Sequence, residues 1–396
     1  MATNHVLVVN GSIATHGCEL LISGSGNVFL ANTICDSGRL TIRSSGYTVL
    51  KGTNSFSGGV ENSGGGVLCA ESDHALGSGT LSIPNNSTLR LVTGISVTNP
   101  AVIQGDGALH DGVRQGAAEL WGSGSASYAG PVTLAGSARF RIQDAGGALT
   151  VSGGVNGPGS LIKSGPGTLI LSNTNNYTGD TLVSEGALLV VGLLNNTMVS
   201  VTAGVLSGSG MVAGRVTIAT GGELRIPVSP APLTITGDLL FSTGAVTAVE
   251  IDSNHRTSGL VAGIGRAKYD GLLLVTNLAR GPLTNGQSFH LFTASRGEGR
   301  FSQITPDPGS GLVWSFDPVT GNLTALSSTK LNIASLDSSN LVVAWTIPGF
   351  HLQIQTNRTG LNPHGPWFDF PAGRTSPVTV PLPPAPGGLY LRLVAP

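Results

Sequence analysis

Charge is scarce in this chain: Asp, Glu, Lys and Arg together make up 10 % of its 396 residues, and the formal net charge is −1. Lysine occurs only at Lys51, Lys163, Lys268 and Lys330. Nucleic-acid binding by phosphate neutralisation therefore has little to work with, and a polybasic membrane-surface mode is unsupported as well. No apolar run approaches the roughly 18 residues that a membrane-spanning helix needs. Aromatic residues are 5 % of the chain, and the eight histidines form neither HxH nor HExxH, which argues against zinc. No GxSxG elbow occurs, and no helix follows the glycine runs to give them a phosphate-binding dipole. The three cysteines, Cys18, Cys35 and Cys69, form no CxxC. Two of them at one rung of stacked coils would be close enough for a disulfide, but small buried hydrophobes are the simpler expectation.

What the chain does have is glycine, 59 residues or about twice the usual share, with abundant Ser, Thr, Asn, Val and Leu. Short apolar runs of period two, each closed by Gly, Asn or Ser before a helix can form, read as many strands joined by tight turns. The stretch GPGSLIKSGPGTLILSNTNNYTGDTLVSEGAL, residues 157–188, shows the pattern most clearly. It holds three strand-like runs in about thirty residues with no helical crossover, which fits coils of a right-handed parallel β-helix.

That stretch resembles the autotransporter-associated β-strand repeat, GxGxLxKxGxGTLxLxxxNxYTGxTxVxxGxL. The likeness rests on Gly157, Gly159, Leu161, Lys163, Gly165, Gly167, Thr168, Leu169, Leu171, Asn175, Tyr177, Thr178, Gly179, Thr181, Val183, Gly186 and Leu188. Gly167, Leu169, Leu171, Asn175, Tyr177, Gly179 and Gly186 are taken as its structural positions. The resemblance implies a passenger-type parallel β-helix and an extracellular or cell-surface location, and it implies no particular activity. A decayed copy, Gly46 to Gly58, aligns on Gly167 to Gly179 without a gap, placing Asn54 on Asn175, Phe56 on Tyr177 and Gly65 on Gly186. A third copy puts Tyr128 and Gly130 on Tyr177 and Gly179. The aromatic-x-Gly corner is expected to cap the side of a coil with its ring, the glycine taking a positive φ or admitting close backbone passage.

The fold expected is all-β: a parallel β-helix over residues 1–247, terminal coils and an antiparallel cap over 248–326, and a fibronectin-III-like β-sandwich over 327–396 that buries Trp345 and Trp367. The N-terminal residues read as a strand already inside the array rather than as a signal peptide. No run of alternating strands with aromatic girdles marks a translocator barrel.

Chemistry has few places to sit. The segment Gln104 to Arg114, with Glu119 close behind, concentrates Asp106, His110, Asp111 and Arg114 in a charge-poor chain. These would be the catalytic groups if the chain were a polysaccharide lyase or glycoside hydrolase, and a solvated loop between coils if it were not. Glu250 and Asp252, with Asn254 and His255, are weak Ca²⁺ candidates; a turn-stabilising role is the plainer expectation, and no cofactor is otherwise implied. His74, beside Asp73, reads as a surface loop residue. The function expected is that of a non-enzymatic adhesin or structural scaffold contacting glycans or other surface proteins, with no nucleic acid and no transmembrane helix. A β-helix polysaccharide-degrading enzyme and a filament subunit that self-associates through its coil ends are the alternatives.

Overall fold

The computed structural model describes residues 5–394, apart from 111, 280, 310, 328–330, 337–339, 346–349, 358–364, 372–375 and 383–387. The described residues form strands, turns and no helix. They divide into two compact units, one of residues 1–282, 288–306 and 316–324, the other of residues 283–287, 307–315 and 325–396.

The first unit is a parallel β-solenoid. Strands mostly of two to five residues pair in parallel with their counterparts one coil away, so side chains stack in register from coil to coil. One such stack runs through Ala126, Leu149, Leu169, Leu188, Leu206, Leu224, Thr247 and Leu273. All eight are buried, which is why the sequence alternates apolar and polar at these strands. At one end of this core Phe241, Tyr269, Phe292, Phe301 and Phe316 pack ring against ring, with centroids 4.8 to 6.4 Å apart. Such a plug ends an apolar column without exposing it.

Parallel coiling continues past residue 248 into the stretch where terminal coils were expected. Val246–Asp252 pairs in parallel with Leu272–Asn277, which pairs in parallel with Gln303–Thr305. Gln287–His290, Asn322–Ser327 and Leu312–Asp317 form a separate three-stranded sheet in that order.

The aligned repeat copies do not share a face. The ladder from Thr48 passes through Leu68, Leu89, Ala118 and Phe140 to Lys163, whereas sequence alignment sets Thr48 opposite Leu169. The shift arises at Val132–Ile142, an 11-residue strand that runs across a corner where other coils turn. Its first half pairs with Ala101–Gly105 and Val155–Asn156, its second with Ala118–Trp121 and Leu161–Ser164.

The second unit carries two antiparallel three-stranded sheets. Asn340–Ala344 lies between Asn332–Leu336 and Val378–Pro381, and His351–Asn357 lies between Phe368–Asp369 and Gly388–Val394. Leu341, Val343, Trp345, Leu352, Val378 and Val380 form its core. Trp345 is buried as expected; Trp367 is only half-buried, with the Arg392 guanidinium 4.4 Å from its ring centroid.

Candidate functional site

Most polar side chains of the repeat hold the coils themselves. Lys163 is fully buried, and its Nζ donates to the carbonyls of Ser164 (3.0 Å), Gly165 (2.6 Å) and Glu185 (3.0 Å). Three donors thus meet three acceptors, two in the lysine's own turn and one on the next coil. Burial lowers the Lys163 pKa from 10.5 to about 8, offset in part by the Glu185 charge. Gly186 makes room for this arrangement. Its φ is +65°, and a Cβ there would fall on the carbonyls of Gly165 and Gly167 and on the Lys163 ammonium.

Asn175 ties three coils: its Oδ1 accepts from Val155 N at 3.1 Å, and its Nδ2 donates to Asn173 O at 2.7 Å and Leu193 O at 3.1 Å. Asn54 does the same between Ile34 N (2.7 Å) and Ala75 O (2.6 Å). Tyr177 and Phe56 are wholly buried, so the ring enters the core instead of capping the side of a coil. The Tyr177 hydroxyl meets Thr181 Oγ1 at 2.6 Å, which meets Thr197 Oγ1 at 2.8 Å. Gly58 and Gly179 serve close backbone passage, and the positive φ falls instead on Gly65 and Gly186. Gly167, Leu169 and Leu171 are likewise interior positions.

Between Gly105 and Gly116 the coil is interrupted by a protruding hairpin. Leu109–His110 pairs antiparallel with Val113–Arg114, and Gly107 bridges Gly116 at the base, both with positive φ. The base is fastened by buried Thr88, whose Oγ1 donates to Gly116 O (2.7 Å) and accepts from Ala108 N (2.9 Å). This hairpin carries the candidate catalytic residues. Asp111 lies outside the described residues.

The hairpin parts the others between two grooves. Asp106 and Arg114 line a groove of about 440 Å³ with Asn85, Asn86, Gln104 and Arg139. There Asp106 Oδ1 accepts from Arg139 Nε at 3.0 Å, and Arg114 Nη1 donates to Asn86 Oδ1 and Gly107 O, each at 3.1 Å. His110 faces the other way, into a pocket of about 240 Å³ with Tyr47, Trp121, Arg141 and Gln143; its ring meets that of Tyr47 edge-on, centroids 4.8 Å apart.

Beneath this second pocket lies an ion cluster. Glu119 is wholly buried, its Oε2 accepting from Arg90 Nε at 2.7 Å and its Oε1 from Arg141 Nη1 at 2.5 Å. Burial pushes the Glu119 carboxyl above its ordinary pKa, and the two guanidiniums offset this. Arg90 also donates to Gln115 Oε1 at 3.1 Å, and its guanidinium lies 4.1 Å from the Trp121 ring centroid and 5.2 Å from that of Tyr47. Tyr47, Arg90, Trp121, Arg139 and Arg141 are the site residues that sequence reading passed over. The alternation Arg139-Phe140-Arg141, which points both arginines out of the core, was the available signal.

The Ca²⁺ candidates lie at the end of the strand Val246–Asp252. Glu250 Oε2 accepts from Val228 N at 3.1 Å, while Asp252 accepts from the backbone of Asn254 and His255 and from His255 Nδ1 at 2.8 Å. Among the described residues no group of three or more His, Cys, Asp or Glu converges as a metal site. The cysteines are free thiols; Cys18 is exposed, contrary to the buried role expected for it, and Cys69 is buried, with its thiol pushed up to about 11. Asp73 accepts from Ser96 N at 2.7 Å, and His74 is exposed.

The buried lysine, the asparagine bridge and the interior tyrosine all fall within one stretch. Residues 161–190 match the passenger-associated-transport-repeat. The chain thus carries an autotransporter passenger repeat within its parallel β-solenoid. It is 31 % identical over 167 residues to an extracellular serine protease of Serratia marcescens, an alignment covering 39 % of this chain and 16 % of that protein. It is 34 % identical over 101 residues to the adhesin BmaC autotransporter of Brucella suis biovar 1 (strain 1330), covering 24 % of this chain and 3 % of the adhesin. The chain therefore spans a small fraction of each relative. No described helix is long and apolar enough to cross a membrane.

Proposed function

We propose that this chain acts at the cell surface or outside the cell as a non-enzymatic adhesin or scaffold, presenting a rigid solenoid to glycans or other surface proteins. One observation carries the reading. The repeat's polar groups are bound into its own turns, while the hairpin between Gly105 and Gly116 opens two solvent-facing recesses lined by guanidiniums, amides and aromatic rings. That is binding chemistry. Glycoside hydrolysis by the usual route needs two carboxyl groups about the scissile bond, and Asp106 is the only carboxylate among the described lining residues of either recess. It is already paired to Arg139. The similarity to an adhesin autotransporter supports the same reading, and the similarity to an extracellular protease supports an extracellular location. Beads coated with the purified chain should adhere to glycan- or cell-coated surfaces more than beads coated with an inert protein do. Equal retention of both would count against the proposal.

A further inference from the structure

The pocket beside His110 has the makings of a sugar site. Trp121 is 44 % exposed and lines the pocket, and the Arg90 guanidinium occupies one face of its ring. The other face is therefore the open one. Arg90 is itself fixed by buried Glu119 and by Gln115, so the indole rests on a clamped support, not on a mobile surface chain. An exposed flat ring held rigidly in place is what the apolar C–H face of a pyranose packs against, at little entropic cost to the protein.

The polar groups around the ring select among sugars. Arg141 donates through Nη1 to Glu119 and to Gln143 Oε1 (2.9 Å), and among the described residues its Nη2 and Nε have no protein acceptor although the side chain lines the pocket. One edge of a guanidinium thus faces solvent beside an aromatic platform. The two arginines against one glutamate leave the cluster with a net charge of +1. A guanidinium edge with unfilled donors matches a carboxylate in shape and charge better than it matches a hydroxyl. The pocket, of about 240 Å³, is open to solvent on the side that a sugar would enter.

We propose that the pocket formed by Trp121, Tyr47, Arg141 and Gln143 binds one acidic pyranose of an anionic glycan, the sugar packing on the open face of Trp121 and its carboxylate on the free edge of Arg141. This inference rests on the surface-binding reading above and names its ligand class.

Isothermal titration of the full chain with a uronic-acid tetrasaccharide, its methyl-ester form and a neutral tetrasaccharide tests it. The acid is expected to bind and the other two to bind at least tenfold more weakly, since the charge-assisted contact is lost. Trp121→Ala should weaken the acid about 30-fold, as for a central aromatic anchor. Arg141→Gln should remove the preference for acid over ester. Arg141→Lys, which keeps the charge beside Glu119, should retain part of it, and thermal melts of each variant establish that it is folded. Equal binding of acid and ester would overturn the proposal. So would undiminished binding by Trp121→Ala, which would put the glycan elsewhere on the solenoid and leave the adhesive reading standing. No binding of any tetrasaccharide alongside intact bead adhesion would likewise refute this site alone, whereas loss of both would refute the two together.

Discussion

Lys163 offers a direct test of how the repeat is held together, because its burial ties stability to pH. Folding lowers its pKa from 10.5 to about 8. Between those values the unfolded chain binds more protons than the folded one, so stability must rise with pH there. Below pH 8 both states are protonated and the dependence vanishes. A shift of about 2.5 units at about 1.36 kcal/mol each sets a ceiling of roughly 3 kcal/mol, reached near pH 10.5, of which about 1.3 kcal/mol accrues between pH 7 and 9. Other groups work in the opposite sense higher up. The Cys69 thiol, raised from 9.0 to about 11, costs stability above pH 9, and the buried hydroxyls of Tyr128 and Tyr177, also raised, cost it above pH 10. The clean window is therefore pH 7 to 9. Urea unfolding of the wild type and of Lys163→Met at pH 7.0, 8.0 and 9.0 isolates the effect, since groups common to both cancel. The wild type should gain about 1 kcal/mol relative to the variant across the window. Parallel pH profiles for the two proteins would mean that Lys163 is not held as an enclosed ammonium, and the reasoning would fail.

Further expectations follow from the same geometry. Gly186→Ala should destabilise by at least about 2 kcal/mol in urea unfolding, because the methyl group meets two carbonyls and the Lys163 ammonium at a positive φ. Gly11→Ala, where a Cβ meets nothing within 4 Å, should be close to neutral. Tyr177→Phe should cost about 1 kcal/mol, as Thr181 and Thr197 keep each other's hydroxyl, whereas Tyr177→Ala should cost about 3–5 kcal/mol for the cavity it opens. Glu119→Ala leaves Arg90 and Arg141 without their shared counterion and should cost about 3–5 kcal/mol; a change below 1 kcal/mol would show the cluster to be solvated.

The fold was legible in this sequence because a solenoid repeats its own evidence. Leu169, Leu171 and Leu188 announce interior ladders by period two, and each coil restates the signal. Gly65 and Gly186, aligned in sequence, both take a positive φ. Alignment could not reveal which face each copy occupies. That depends on the strand Val132–Ile142 crossing a corner and on the hairpin inserted after Gly105, and neither leaves a periodic trace. The site was half legible for the same reason. Charges close in sequence, Asp106, His110 and Arg114, stood out against a charge-poor background, yet the hairpin sends them to opposite sides. The pairs Arg90–Glu119 and Glu119–Arg141 are 29 and 22 residues apart, spacings fixed by individual coil lengths. Lys163 was seen as a motif letter, and only the turn of the next coil, through the carbonyl of Glu185, explains why a lysine stands there.

The central claim is that this surface binds without turnover. It is tested most directly by incubating the purified chain with anionic and neutral polysaccharides, with and without Ca²⁺, while following both retention on the polymer and release of new reducing ends or unsaturated products. The account predicts retention with no product above the buffer control in either condition. Sustained product release that disappears in Asp106→Ala or Arg114→Ala would contradict it and make the groove between those residues an active site.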